Sequence, residues 1–433
     1  MNQYAHMIRQ LKTPGVMKTL THLYGQRDGM LVGQTARYIH IVKRHEELVG
    51  TQSPVLLVSA PGRTEIGGNH TDHNKGKVLA AAINLDTLAA VNLRPDSKVR
   101  IFSEGYEPLE MDLEDLSCQE AEKGSSSALI RGVATKMKEM GYPIGGFDAV
   151  VTSTVRVGSG LSSSASFEVL VCAIFDALYG GWTMDPQVRA QVSQYAENVY
   201  FGKPSGLMDQ MASSVGGLTF MDFKDDQAKI LELSYDFAQK GMAIVVVNTG
   251  GSHDDLTPQY AAIPEEMRAV AACFGEKNLR RVRPEQFMQS IPKLRHEVQC
   301  ASPDRAILRA AHFFAENSRV MDEVEALQRD DLPLFLEKVV ESGRSSFTLL
   351  QNVVSQTIGQ ELALALMLAE RKLEGRGAWR VHGGGFAGTT LNFVPQSELG
   401  SFVKDMEAAF GAHSCNVLDI RPIGAAYLNL QGN

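Results

Sequence analysis

Val157-Gly158-Ser159-Gly160-Leu161-Ser162-Ser163-Ser164-Ala165-Ser166-Phe167 is the stretch from which the fold of this chain can be read. Gly158 and Gly160 lack a Cβ, so the backbone can turn tightly and come close to a ligand. The serines open a helix, because Phe167, Leu170, Val171, Ile174 and Leu178 fall on one face at helical spacing. The first amides of a helix have no internal partner, and with the positive end of the dipole they suit a phosphate. The same residues also fit a loop before an N-capped core helix. Gly-Lys-Ser/Thr does not follow, so the turn is not a P-loop. It lacks Gly-x-Gly-x-x-Gly, so it is not a dinucleotide fingerprint either.

The chain around this turn has 433 residues, enough for two or three domains. Its formal net charge of -8 argues against nonspecific nucleic-acid binding. It has no uninterrupted apolar run long enough for a membrane span, and its N-terminus lacks a signal-peptide layout. Cys118, Cys172, Cys273, Cys300 and Cys415 are odd in number and widely spaced, which points to reduced thiols in the cytoplasm.

Residues 1–50 read as helical and polar, with Ile39, Ile41 and Val42 as a docking face. Val55 to Ser59 fits a buried strand that ends at Ala60-Pro61-Gly62. Thr87 to Asn92, Phe147 to Thr154 and Met242 to Asn248 read as strands. Gln187 to Tyr200, Ala301 to Leu327, Leu332 to Glu341 and Glu361 to Leu373 carry helical periodicity. Strands and helices mix without regular βαβ spacing, so an α+β protein with two lobes is expected. The lobes are expected to span 1–215 and 216–433.

Three segments can carry chemistry. Residues 60–76 crowd Arg63, Glu65, Asn69, His70, Asp72, His73 and Asn74 into a glycine-rich stretch, a density that suits a polyhydroxylated ligand. His70, Asp72 and His73 are also potential metal ligands, and a turn-rich surface loop fits the composition too. Residues 195–217 hold Glu197 and Asp209. One of these carboxylates can hold Mg2+ and the other can orient or deprotonate a hydroxyl. Residues 380–390 contain Gly383-Gly384-Gly385, a β-turn whose backbone can pass close to a ligand.

Together and in this order, the three segments resemble the motifs of the GHMP small-molecule kinases, and the first narrows the match to the galactokinase branch. Gly62-Arg63 with His70-Thr71-Asp72 is similar to the branch signature Gly-Arg-x-Asn-x-Ile-Gly-Glu-His-x-Asp-Tyr. Leu161 to Ala165 resembles the family's phosphate loop, Gly206 to Gln210 its Gly-Ile-Met-Asp-Gln, and Gly383 to Gly388 its third motif. The resemblance spans residues 54–395. It implies a two-lobed GHMP kinase fold, with an N-terminal lobe like ribosomal S5 domain 2 and a ferredoxin-like C-terminal lobe. It also implies phosphorylation of the anomeric hydroxyl of galactose by ATP with Mg2+.

By the same resemblance Asp209 is the catalytic carboxylate and Arg63 stabilises charge beside it. Gly158, Ser159, Gly160, Leu161, Ser162, Ser163, Ser164 and Ala165 wrap the nucleotide phosphates. Ser164 and Glu197 hold Mg2+. Asn69, His70, Asp72, Gly206 and Tyr260 line the sugar pocket.

The chain departs from the signature at Glu65 (Asn in the family), Asn69 (Glu), His73 (Tyr), Arg156 (Pro) and Ala387 (Gly). A neutral residue at 69 would admit a 6-carboxylate, as in the plant-type galacturonate kinases, which share a His at the position of His73. Galacturonate and N-acetylgalactosamine 1-kinases are therefore alternatives. A catalytically dead sugar sensor is another, and the complete phosphate loop argues against it.

Overall fold

A computed structural model describes residues 2–25, 27, 29–156, 158–250, 256–354 and 359–430; Val157 of the phosphate turn lies outside them. The chain opens with three helices, α1 (Gln3–Gln10), α2 (Pro14–Tyr24) and α3 (Met30–Leu48). There follow β1 (Val55–Gly67), β2 (Lys77–Leu93), β3 (Lys98–Ser103), β4 (Leu109–Asp112), α4 (Ser126–Glu139), β5 (Phe147–Ser153), α5 (Ser163–Phe175), α6 (Pro186–Tyr195) and α7 (Met208–Val215). Next come β6 (Leu218–Asp222), β7 (Lys229–Leu233), β8 (Met242–Asn248), α8 (Thr257–Ala272), α9 (Pro284–Glu297), α10 (Pro303–Gln328), α11 (Leu332–Ser345) and α12 (Glu361–Leu373). The chain closes with β9 (Ala378–His382), β10 (Thr389–Pro395), α13 (Leu399–Phe410), β11 (Cys415–Leu418) and β12 (Ala426–Leu428).

The strands form two sheets. An eight-stranded sheet runs β12-β1-β2-β5-β3-β4, with β6 paired to β2 and β7 to β6. A four-stranded antiparallel sheet runs β11-β8-β10-β9. The larger sheet is covered on both faces, and the period-2 alternation of its strands sorts the side chains. Val58, Ala60, Ala89, Val91, Phe147 and Ala149 pack with α4, α5 and α6. Their neighbours Val55, Leu57, Leu88, Ala90 and Val150 pack with α1, α2 and α3. The N-terminal helices are thus the outer cover of this sheet. Ile41 and Val42 are fully buried there and Ile39 packs beside them.

Two local expectations change. Ala60-Pro61-Gly62 does not end β1. It is a bulge, with register shifts between Pro61 and Arg63 and again between Glu65 and Gly67, and the strand continues to Gly67. A bulge bends and twists a strand, which re-aims the side chains beyond it. The helical run expected to Tyr200 is α6 followed by a wider π turn over residues 196–201, closed by Gly202 at φ 86°. A helical run over Ser163–Gly180 is long and apolar enough to cross a membrane by composition, but 61% of it is buried inside the protein, as for a core helix.

Candidate active site

The bulge in β1 brings the first segment against the phosphate turn. A Cβ on Gly62 would lie 2.7 Å from the Leu161 carbonyl oxygen, so only glycine permits this approach. The next residue bonds to the same carbonyl, Arg63 N–H to Leu161 O at 3.1 Å. Arg63 Nη1 donates to Gly160 O at 2.6 Å, while Nε and Nη2 donate to Asp209 Oδ1 and Oδ2, both at 2.7 Å. This fork-to-carboxylate geometry is the strong form of an ion pair.

Asp209 lies in the first turn of α7, where the helix dipole favours a negative charge. Ser162 Oγ also donates to Asp209 Oδ2. Burial pushes the Asp209 carboxyl up; the Arg63 charge and hydrogen bonds, with Ser162 and Lys203, outweigh it and hold the acid below its usual range. Its side chain keeps 30% exposure against 7% for Arg63, so the carboxylate is the member of the pair open to a ligand.

Gly158, Gly160 and Ser162 all take positive φ, at 74°, 70° and 60°. Left-handed geometry costs a non-glycine residue about 1–2 kcal/mol. At Ser162 it sends the hydroxyl to Asp209 and leaves α5 without a side-chain N-cap. Leu161 and Ala165 are buried in the core, so they offer only backbone to the turn. Ser159 closes the turn on itself, Oγ to Arg156 O at 2.6 Å. Ser163 begins α5.

Ser164 Oγ donates to Glu197 Oε1 at 3.0 Å. Glu197, almost fully buried in the π turn, also accepts from Lys203 (3.1 Å), Ser205 (2.6 Å) and Gln210 (2.7 Å). Ser164 and Glu197 put two hard oxygen donors side by side. That is the small protein share Mg2+ takes when phosphates and water complete its shell. The other suggested metal set does not assemble: among the described residues no group of three His, Cys, Asp or Glu side chains can hold a metal ion.

The sugar-signature residues divide into two groups. Asp72 faces Gly206, where a Cβ would sit 1.6 Å from Asp72 Oδ2. Asn69, His70 and Tyr260 instead bind the triple-glycine turn. Asn69 Nδ2 donates to Gly383 O (2.7 Å) and Glu65 Oε1 (2.9 Å), and its Oδ1 accepts from Asn352 (2.9 Å) and Ser346 (3.2 Å). All four hydrogen-bonding positions of this fully buried amide are therefore used inside the protein. It orders the loop and presents no free group to a pocket, contrary to the lining role expected from sequence.

His70 donates from Nε2 to Gly384 O at 2.9 Å, so its Nδ1 is the acceptor, facing His73 Nε2 at 3.2 Å. Burial, then the His73 charge, pushes His70 down to about 3, so it is neutral. Tyr260 lies over Gly384, where a Cβ would be 2.5 Å from its ring, and donates to Gly385 O at 2.8 Å. Burial raises its phenol.

Residues outside the three segments hold these loops in place. Glu316 of α10 accepts the backbone N–H groups of Gly68 (3.1 Å) and Asn69 (3.4 Å), and His312 Nε2 donates to Asn69 O (2.9 Å). Arg380, fully buried, donates to Glu65 Oε1 and to Ile66 O, both at 2.5 Å. His382 Nε2 accepts the Glu65 N–H at 3.1 Å, which places the ring proton on Nδ1 toward Thr389. For Arg380 and His382 the sequence did carry a signal, polar residues in a strand that leads into three glycines. Glu316 and His312, on a helix of ordinary amphipathic pattern, carried none.

Known proteins resemble this chain in sequence and in fold. A galactokinase galactose-binding signature matches residues 43–93, and a GHMP kinases N terminal domain matches residues 128–217. The chain is 32% identical over 349 residues to the galactokinase of Actinobacillus pleuropneumoniae serotype 5b (strain L20), covering 80% of this chain and 87% of that one. It is 31% identical over 382 residues to the galactokinase of Streptomyces coelicolor (strain ATCC BAA-471 / A3(2) / M145), covering 86% and 92%. The crystal structure of Lactococcus lactis galactokinase complexed with galactose superposes with a TM-score of 0.78 at 25% identity, over 89% of this chain and 98% of that one.

Proposed function

The chain belongs to the galactokinase family, and we propose on that footing that it transfers the terminal phosphoryl group of ATP to the anomeric hydroxyl of galactose, giving galactose 1-phosphate. The observation that carries this reading is the Arg63–Asp209 pair closed against the Gly160 carbonyl and Ser162 hydroxyl of the phosphate turn. It supports an enzyme over a sugar sensor, because all four parts are present and joined.

In this reading the free amides at the start of α5 and the glycine turn bind the nucleotide phosphates. Ser164 and Glu197 hold Mg2+, which when bound neutralises phosphate charge. Asp72, beside Gly206, takes sugar hydroxyls, and His70, Tyr260 and Asn69 shape that side of the pocket through the triple-glycine turn. Asp209 accepts a hydrogen bond from the anomeric hydroxyl and orients it. Held below its usual range, Asp209 is a weak base, so it receives the proton only as the oxygen bonds to phosphorus. A loose phosphoryl-transfer transition state asks for that positioning and charge stabilisation more than for strong base catalysis. Arg63 balances the charge that builds up beside it.

We place the activity in the cytoplasm, consistent with five unpaired cysteines among the described residues. ATP consumption with galactose, galacturonate, N-acetylgalactosamine and glucose tests the substrate. Galactose is expected to be turned over fastest; a preference for galacturonate would replace the substrate but not the reaction.

A further inference from the structure

Glu168 lies one turn after Ser164 on α5, and Gln210 follows Asp209 on α7; neither side chain reaches solvent. Gln210 Nε2 donates to Glu168 Oε2 at 3.0 Å and to Glu197 Oε2 at 2.7 Å, which uses both of its hydrogens. The two remaining oxygens of the joined pair, Glu168 Oε1 and Gln210 Oε1, have no hydrogen-bond partner among the described residues. Buried acceptors left without a donor are destabilising, because they give up water and gain no partner. One proton on Glu168 Oε1 removes both deficits. The acid then donates to the amide oxygen while accepting from the amide nitrogen, the planar two-bond ring that a carboxylic acid and a primary amide form.

We propose that Glu168 is a positioning residue for Glu197: as a neutral acid it closes a cyclic pair with Gln210, which aims the second amide N–H at Glu197 Oε2 and leaves Glu197 Oε1 turned to Ser164. Burial, then the negative charge of Glu197, pushes the Glu168 carboxyl well above its ordinary range, and Asp209 adds to this; Gln210 and Lys203 work against it. The pair links the phosphate helix α5, the Asp209 helix α7 and the carboxylate of the π turn. Its catalytic consequence rests on the reading of Glu197 as a Mg2+ ligand; the pair itself does not.

Infrared difference spectra of the native protein and Glu168→Gln at neutral pH test the pair. A protonated-carboxyl carbonyl band, shifted in D2O and absent from Glu168→Gln, is expected; its absence from the native protein would show an ionised Glu168 and overturn the proposal. Mn2+ binding in the presence of ADP, followed by electron paramagnetic resonance, tests the positioning. Glu168→Leu is expected to weaken it about 10–100-fold, as loss of partners behind metal ligands does. Glu168→Gln, whose amide can make both bonds to Gln210, is expected to restore it. Native-like Mn2+ binding by Glu168→Leu would overturn the positioning role. Glu197→Gln tests the metal reading separately, since it should lose Mn2+ whether or not the pair exists.

Discussion

Arg63 grips Asp209 at two points, Nε on Oδ1 and Nη2 on Oδ2, and rests its third nitrogen on the carbonyl of Gly160. One side chain thus locks β1, the phosphate turn and α7 into a single frame. The bulge at Pro61–Arg63 makes this reach possible.

Asp209→Asn removes the charge and one acceptor from that frame while keeping its shape. Turnover is expected to fall by about 10²–10⁴-fold, the range for a positioned acid–base group. Sugar affinity, measured by calorimetry, is expected to change little, because Asp72 and the glycine turn are untouched. Substantial retained turnover would remove Asp209 from the reaction.

Gly206→Ala is a steric test of the sugar side. The new Cβ would fall 1.6 Å from Asp72 Oδ2, so one of the two must move. The KM for galactose is expected to rise at least about tenfold, the effect of a group misplaced near the site, with the KM for ATP unchanged. Equal rises in both would show that the phosphate turn had moved instead.

Much of this arrangement was legible in the chain. The continuous apolar run at Val55 to Ser59 and the β-branched Ile244 to Val247 announce buried strands, and the glycine–serine turn followed by a 3.6-residue period announces α5. The spacing of Arg63, Ser162 and Asp209 is readable only through resemblance, because local pattern says nothing about contacts 146 residues apart. Pro61-Gly62 was misread for a physical reason. The same dipeptide that breaks an exposed strand makes a bulge when the partner strand continues past it, and β2, 17 residues long, does so, pairing on as far as Gly67. The saturation of Asn69 was hidden, since three of its partners come from residues more than 270 positions away.

Acid is expected to unfold this protein earlier than carboxylate titration would. Burial lowers His45 to about 4, and burial with the His73 charge lowers His70 to about 3, from an ordinary 6.5. Below pH 6.5 the unfolded chain takes up protons that the native state refuses. The stability from these two residues is therefore complete above pH 6.5 and is lost as pH falls toward 4 and 3. Each costs about 1.4 kcal/mol per pH unit across that window. Glu316 is held at about 2; burial pushes it up, and His312, Arg319 and Arg380 outweigh it. It acts in the same direction, but only below its ordinary 4.5. Urea midpoints at pH 7.5, 6 and 5 are expected to fall steadily, and His45→Gln to flatten the fall. A midpoint constant down to pH 5 would contradict the neutral assignment of both histidines.

Glu65 and Asn69 stand where the family signature carries Asn and Glu, so the chain holds the same two side-chain types in exchanged places. The contact explains why one exchange would demand the other. Asn69 Nδ2 donates to Glu65 Oε1, which also receives Arg380. Asn69→Glu alone sets a second buried carboxylate against Glu65 and the Gly383 carbonyl, at an expected cost of about 3–5 kcal/mol, as for an uncompensated buried charge. Adding Glu65→Asn returns an amide donor opposite the new acid. A double-mutant cycle by urea unfolding is expected to give a favourable coupling of about 1–3 kcal/mol; strict additivity would mean the exchange is coincidental. Because Asn69 is enclosed and fully bonded, the double variant is expected to keep the ratio of galactose to galacturonate turnover. A shift of that ratio toward galactose would instead mean that the side chain at 69 meets the sugar directly and selects by charge.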